Sequence, residues 1–203
     1  MTKHHNNKER AILAAAREEF LERGYDGART TSIAKKAGVT HAMLHYYFKT
    51  KEQLFTGIFD DFIHQVANNM ANMFIDSEKP FVQQVVDAVS IHFDFIKDNP
   101  QIPLFVMREI SSHPHRIDLI KDNVATTVGS LSGTVQKGIE RAVGRGEICD
   151  IDTMTLMIDI LSLNVFPFLA LPIYQAAFLQ DPEKFLEMRR QENINLILNR
   201  LKP

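Results

Sequence analysis

The stretch from Thr30 to Leu54, TTSIAKKAGVTHAMLHYYFKTKEQL, constrains the fold more than any other part of the chain. It reads as two short helices around a tight turn, followed by the start of a longer helix. A threonine at 30 or 31 caps the first helix, because its side-chain oxygen accepts a bond from an orphan N–H of the first turn. Ile33, Ala34 and Ala37 fall on one helical face. Gly38 ends this helix in the left-handed conformation that glycine adopts without steric penalty, and Val39 pins the turn. Thr40 caps a second helix, His41 to Tyr47. Met43 and Leu44 face inward there, leaving His41, Ala42, His45, Tyr46 and Tyr47 outward or at the edge. Thr50-Lys51-Glu52-Gln53 fits a capping box for the third helix, Thr50 bonding forward and Gln53 bonding back. Two helices joined by a glycine turn, the second with an exposed polar and aromatic face, describe a helix-turn-helix.

The segment GVTHAMLHYYFKTKEQLF resembles the signature of the tetracycline-repressor (TetR) family of transcriptional regulators. The matching positions are Thr30, Ile33, Ala34, Ala37, Gly38, Val39, Thr40, Leu44, Tyr47, Phe48, Lys51 and Leu54. The resemblance covers the N-terminal third; beyond it the chain is similar to the family in length and helical character. Two positions depart from the pattern. His45 stands where the family usually has tyrosine, and Ala42 where glycine is common. An imidazole is shorter than a phenol and, when neutral, donates from only one nitrogen.

The resemblance implies an all-α protein of about nine helices, with a helix-turn-helix head at residues 6–66 and an effector-binding and dimerisation body at 67–203. It implies a homodimeric regulator that binds a double-stranded DNA operator and is released by a small, largely apolar effector. Thr30, Thr31, Thr40, His41, Ala42, His45, Tyr46, Tyr47 and Lys51 are the expected DNA-facing residues. Of these, Tyr47, Lys51 and Thr30 are expected on phosphates, and His41, His45 and Tyr46 nearer base edges. Two other readings remain: a helical interaction protein that has lost DNA binding, since His41, Ala42 and His45 supply little charge, and a ligand-binding enzyme on the same scaffold.

Charge is divided along the chain in the way a polyanion-binding head requires. Through Lys51 there are ten Lys and Arg against five Asp and Glu; from Glu52 onward there are thirteen against twenty. A basic end thus joins an acidic body, although the net charge is −2. The single cysteine, Cys149, excludes an internal disulfide. The first residues, MTKHHNNKER, carry no apolar core, so no signal peptide is expected and a cytoplasmic location is.

Helical periodicity fills the remainder. Residues 1–6 are expected to form a flexible arm. A first helix from Asn7 to Arg23 carries Ile12, Leu13, Ala16, Phe20 and Leu21 as an apolar stripe, stopped by Gly24. A helix from Lys51 to about Phe74 joins head to body without a flexible linker, the boundary lying near Ala67. Body helices follow at 80–100, 101–112 and 117–143, the last ended by Gly144-Arg145-Gly146. Asp152 caps a strongly apolar helix, and Asp181-Pro182 opens the last one. Asp159, Asn164, Pro167 and Pro172 interrupt the apolar run, so it is expected as buried helix or subunit interface rather than a membrane span. The last two helices are the expected dimer interface, with Ile194, Ile197, Leu198 and Leu201 buried by the partner.

Phe62, Val66, Met70, Phe93, Ile96, Phe105, Phe166 and Phe168, from several helices, are the expected lining of an effector pocket. No cofactor or metal is expected: the proline between His113 and His115 denies them helical ligand spacing, and no third ligand stands nearby. No phosphate loop or nucleophile elbow appears, so no enzymatic activity is expected.

Overall fold

The computed structural model describes residues 2–75, 78–178 and 181–203, with side chains of the first helix from residue 7 onward. Among these residues there are nine α-helices and no strand. They are α1 (Thr2–Gly27), α2 (Thr30–Lys36), α3 (His41–Tyr47), α4 (Lys51–Met73), α5 (Phe81–Asp98), α6 (Gln101–Ser112), α7 (Ile117–Gly144), α8 (Thr153–Ala177) and α9 (Pro182–Leu201), with a 3-10 turn at Pro114–Arg116 before α7. The punctuation follows local chemistry. Asp152 accepts from the Thr155 N–H and Asp181 from the Lys184 N–H, capping α8 and α9.

Two local expectations need correction at the amino end. Residues 2–6 continue α1 instead of forming an arm; neither proline nor glycine precedes Gly24 to stop the helix running back. Met1 lies outside the described residues. Gly24 breaks α1 at a φ of +68°, and one further turn runs to Gly27.

The chain divides into two compact units. One consists of Met1–Ile63 with Phe105–Val124, the other of His64–Leu104 with Ala125–Pro203. The division within α4 falls a few residues before Ala67, and residues 105–124 join the N-terminal unit. Aromatic and ionic contacts hold them there. Phe105 packs on Phe55 and Phe59 at ring-centroid distances of 6.2 and 5.6 Å. Arg116 is buried, bonds Asp26 at 2.7 Å, pairs with Glu109, and lies 4.1 Å from the centre of the Tyr25 ring. The core of this unit is Ile12, Ala16, Phe20, Ile33, Ala34, Leu44, Leu54, Phe55, Ile58 and Phe59.

In the other unit α5, α8 and α9 enclose most of the apolar surface. Phe81, Val85, Val89, Val135, Ile139, Leu156, Ile160, Ile194, Ile197 and Leu201 form one cluster. Gly138 of α7 meets Phe81 so closely that a Cβ would stand 2.8 Å from the ring, which only glycine permits. A buried polar network crosses this interior. Asn164 Nδ2 donates to the Val89 carbonyl at 2.9 Å and contacts His92 Nδ1 at 3.2 Å; Asn193 Nδ2 donates to Asn164 Oδ1 at 3.0 Å and to the Leu163 carbonyl at 2.8 Å. Burial pushes His92 down from 6.5 to about 4, so it sits in the fold as a neutral imidazole. Helix α8 is long and apolar enough to cross a membrane, with a mean hydropathy of 1.9 over its most apolar window. Its Asn164 and internal Pro167 are buried in this helical packing, and its internal Pro172 is exposed.

Candidate nucleic-acid interface

The turn between α2 and α3 is built by backbone geometry. Gly38 takes a φ of +65°. Its N–H bonds the Lys35 carbonyl at 3.2 Å, and the Val39 N–H bonds the Ala34 carbonyl at 3.0 Å, the paired bonds of a Schellman ending. Thr40 then caps α3 by accepting from the Met43 N–H at 3.2 Å. Leu44 is the one fully buried side chain of α3; Met43 is half-buried. The helix therefore rests on the head by a narrow edge and leaves the rest outward.

Neither Thr30 nor Thr31 caps α2. The helix starts after Arg29, which makes no side-chain cap bond. The cap comes instead from Glu19 of α1, which is fully buried. Its carboxylate accepts from the Ser32 hydroxyl at 2.8 Å and the Arg29 N–H at 3.4 Å, and it pairs with Lys36 at 3.1 Å. An anion at a helix N-terminus satisfies orphan N–H groups and meets the positive end of the dipole. Burial alone would raise its pKa; the bonds from Ser32, Lys36 and Arg29 outweigh that and hold it below the ordinary carboxylate value. Sequence reasoning missed this residue. The signal was present, because Glu19 lies three, four and seven residues after Ala16, Ala15 and Ile12, on the apolar stripe itself.

At α4 the capping box is shared. Thr50 accepts from the Gln53 N–H at 3.2 Å as expected, but Gln53 Oε1 accepts from the Lys49 N–H at 2.7 Å and not from that of Thr50. Lys51 bonds the Asp26 carbonyl at 3.4 Å and lies 4.7 Å from the centre of the Tyr25 ring, while the Tyr25 hydroxyl donates to Glu52 at 2.7 Å. The predicted phosphate-binding lysine is thus seated on the end of α1, with its head group still at the surface.

The expected DNA-facing residues gather on one side of the turn. Thr31, Thr40, His41, Ala42 and Tyr46 are exposed, Tyr46 by 64%. Thr30, His45, Tyr47 and Lys51 are half-buried. Tyr46 and Tyr47 meet edge to face at 5.5 Å, and Lys49 lies 5.8 Å from the Tyr46 ring centre. His41 and His45 form a pair: their Nε2 atoms are 3.2 Å apart, and Thr30 Oγ1 is 3.0 Å from His41 Nε2. The structure thus joins three of the predicted residues in a cluster that spacing alone had not connected.

The proposed pocket and interface residues fare differently. Phe93, Ile96 and Phe168 do meet, with Phe93 and Phe168 at 5.0 Å, in a cluster with Leu186. Val66 and Met70 pack instead with the larger cluster of the same unit. Phe62 and Phe105 belong to the N-terminal unit, where the Arg17 guanidinium lies 4.7 Å from the Phe62 ring centre. Phe166 is 63% exposed. A groove of about 270 Å³ opens among His64, Ala67, Asn68, Ala71, Thr126, Thr127, Ser130 and Leu131, none of them among those eight. Ile194, Ile197 and Leu201 are buried within their own subunit, with Leu198 packed against them. The stripe chosen from spacing is intramolecular core; the large apolar side chains left outward on α8 and α9 are Met154, Ile158, Leu161, Phe166, Ile173, Tyr174, Met188 and Leu196.

Residues 12–58, which hold this turn and the helices around it, match the model of the bacterial regulatory proteins of the tetR family. Over these residues the chain is similar to that family. Its relatives are regulators. It is 31% identical over 104 residues to the uncharacterized HTH-type transcriptional regulator YdgC of Bacillus subtilis, covering 48% of this chain and 53% of that one. It is 25% identical over 151 residues to the HTH-type transcriptional regulator RutR of Escherichia coli, covering 74% and 68%. The match therefore spans only about half the length of the first of these relatives. A likeness of fold extends over nearly the whole chain: the transcriptional regulator FadR of Bacillus subtilis, solved in complex with stearoyl-CoA, superposes with a TM-score of 0.71 at 17% identity, over 94% of this chain and 98% of that one.

Proposed function

We propose that this chain is a dimeric, ligand-responsive regulator, acting as a repressor, that occupies a palindromic operator and leaves it when a largely apolar effector binds the body. The observation that carries the reading is α3. It is a capped helix with one buried side chain, and its polar and aromatic face stands outward on the basic end of the chain. A helix presented in this way fits a major groove, with base edges read by His41, His45 and Tyr46 and phosphates held by Thr30, Tyr47 and Lys51. Thr31, Thr40 and Ala42 lie alongside on the same face.

Dimerisation is supported by the exposed apolar face of α8 and α9. Met154, Ile158, Leu161 and Ile173 recur at helical spacing, and Met188 and Leu196 flank them. A two-fold dimer carries two α3 helices, and two-fold proteins read half-sites about 34–36 Å apart, or a multiple of that. For the effector, the Phe93–Ile96–Phe168 cluster beside the buried His92–Asn164–Asn193 network offers apolar walls with polar anchors. That the Bacillus subtilis FadR, a protein of similar fold, was solved in complex with stearoyl-CoA supports a ligand with a long apolar chain.

The test is a gel shift with the DNA upstream of this chain's own coding sequence, followed by ligand screening against that complex. Retarded DNA released by an apolar compound is the expected outcome. A folded dimer that retards no DNA would support the other reading, a helical interaction protein that has lost DNA binding.

A further inference from the structure

His41 and His45 stand one helical turn apart on the outer face of α3, and their rings meet edge to face with centroids 4.4 Å apart. Three donor atoms converge between them. His41 Nε2 has His45 Nε2 at 3.2 Å and Thr30 Oγ1 at 3.0 Å. A neutral imidazole nitrogen carries either one N–H or one lone pair, so His41 Nε2 cannot make a well-formed bond to both neighbours at once. The tautomer of His45 is set from its other side. Its Nδ1 lies 3.4 Å from the Lys49 carbonyl, which only accepts. Nδ1 therefore carries the proton and Nε2 the lone pair, facing His41. An imidazole whose far nitrogen donates to a backbone carbonyl while the near one is left as a free base is the arrangement of a metal-ligating histidine.

We propose that His41 and His45 bind a borderline first-row dication, of the zinc and copper class, through their two Nε2 atoms. Two nitrogens at about 2.05 Å from a tetrahedral zinc are about 3.3 Å apart, and at a right angle around tetragonal copper about 2.9 Å. The observed 3.2 Å lies between these separations. Rotation about χ2, a broad torsion in histidine, turns both lone pairs toward a common point. Each imidazole binds as a neutral ligand through Nε2 with its proton on Nδ1, so binding releases a proton only from an imidazolium. Among the described residues no set of three or more His, Cys, Asp and Glu side chains is placed to hold a metal. The remaining positions are filled by water, with the Thr30 hydroxyl alongside. Imidazole ligands favour copper and zinc over magnesium or calcium, which take oxygen. The site rests on the geometry of α3 and not on what the helix binds.

The experiment is calorimetric titration of Zn²⁺ and Cu²⁺ into the full-length chain and into His41→Gln, His45→Gln and His113→Gln, each first shown by thermal melting to be folded. Imidazole ¹H–¹⁵N spectra of the wild type are recorded over the same titration. The expected result is loss of one equivalent of bound ion in both His41→Gln and His45→Gln, its retention in His113→Gln, and an early shift of the His41 and His45 Nε2 resonances. Unchanged stoichiometry and affinity in the two α3 variants would overturn the proposal. So would His41 and His45 resonances that stay in place while others move, a result that needs no variant to fold.

Discussion

Removing the Glu19 carboxylate should loosen the helix-turn-helix from behind. In Glu19→Ala the Ser32 hydroxyl and the Arg29 N–H lose their acceptor, and Lys36 keeps only Glu22, at 3.4 Å. Breaking a buried charged set by deleting one partner costs about 3–5 kcal/mol. The Arg29 bond is long and Lys36 partly exposed, which places this case at the lower end, about 3 kcal/mol. For a chain of 203 residues each kcal/mol moves Tm by about 2–4 °C, so the melt should fall by about 6–12 °C. Glu19→Gln keeps an acceptor for Ser32 and loses only the charge, so it should cost about half as much. The pH dependence supplies the internal check. The folded carboxylate lies below its ordinary 4.5, so its contribution is full above that value and is lost as pH falls below it. The gap in melting temperature between wild type and Glu19→Gln should therefore close on acidification. Differential scanning calorimetry of the three proteins at pH 7 and at stepped acid pH reads all of this. A Glu19→Ala melt within about 2 °C of wild type at pH 7 would show that the carboxylate does not hold α2, and the reasoning would fail.

Three further outcomes follow from the same geometry. Ile197→Asp places a charge in the subunit's own core and should unfold the chain, costing about 4 kcal/mol or more, whereas Ile158→Asp on the outer face of α8 should leave a folded monomer; light scattering with thermal melting separates them, and a stable Ile197→Asp monomer would restore Ile197 to the interface. Buried, neutral His92 should draw stability down as pH falls from 6.5 toward 4, because the unfolded chain takes the proton first; the loss, about 3 kcal/mol, should be absent from urea titrations of His92→Gln. Lys51→Ala should weaken binding to every DNA sequence alike and reduce the salt slope by about one unit; an unchanged slope removes Lys51 from the phosphate contacts.

The head was legible because its signals are local. Gly38, Thr40 and the α3 boundaries follow from turn and cap chemistry within a few residues, and the structure reproduces them. Contacts that depend on distant residues were not. Glu19 reaches α2 across a turn of chain, and its place on an apolar stripe was the only trace it left. The grouping of residues 105–124 with the N-terminal unit depends on Arg116, Glu109 and Asp26, far apart in sequence. On α9, periodicity found an apolar stripe but not what it packs against: Ile194 and Ile197 are core, and the outward face was read only from burial. Of the eight pocket residues Phe93, Ile96 and Phe168 meet, and which of them would do so was not legible for the same reason, since spacing gives a face and not a neighbour.

Whether α3 reads DNA from a two-fold assembly is tested directly by repeated selection of bound duplexes from a random library by the full chain, with His41→Ala/His45→Ala/Tyr46→Ala selected in parallel. The account predicts an enriched inverted repeat whose half-sites lie one helical turn apart, or a multiple of it, and whose sequence preference flattens in the triple variant while salt-dependent binding persists. A library that stays random under the wild-type chain, or an enriched motif that the triple variant selects unchanged, would contradict it.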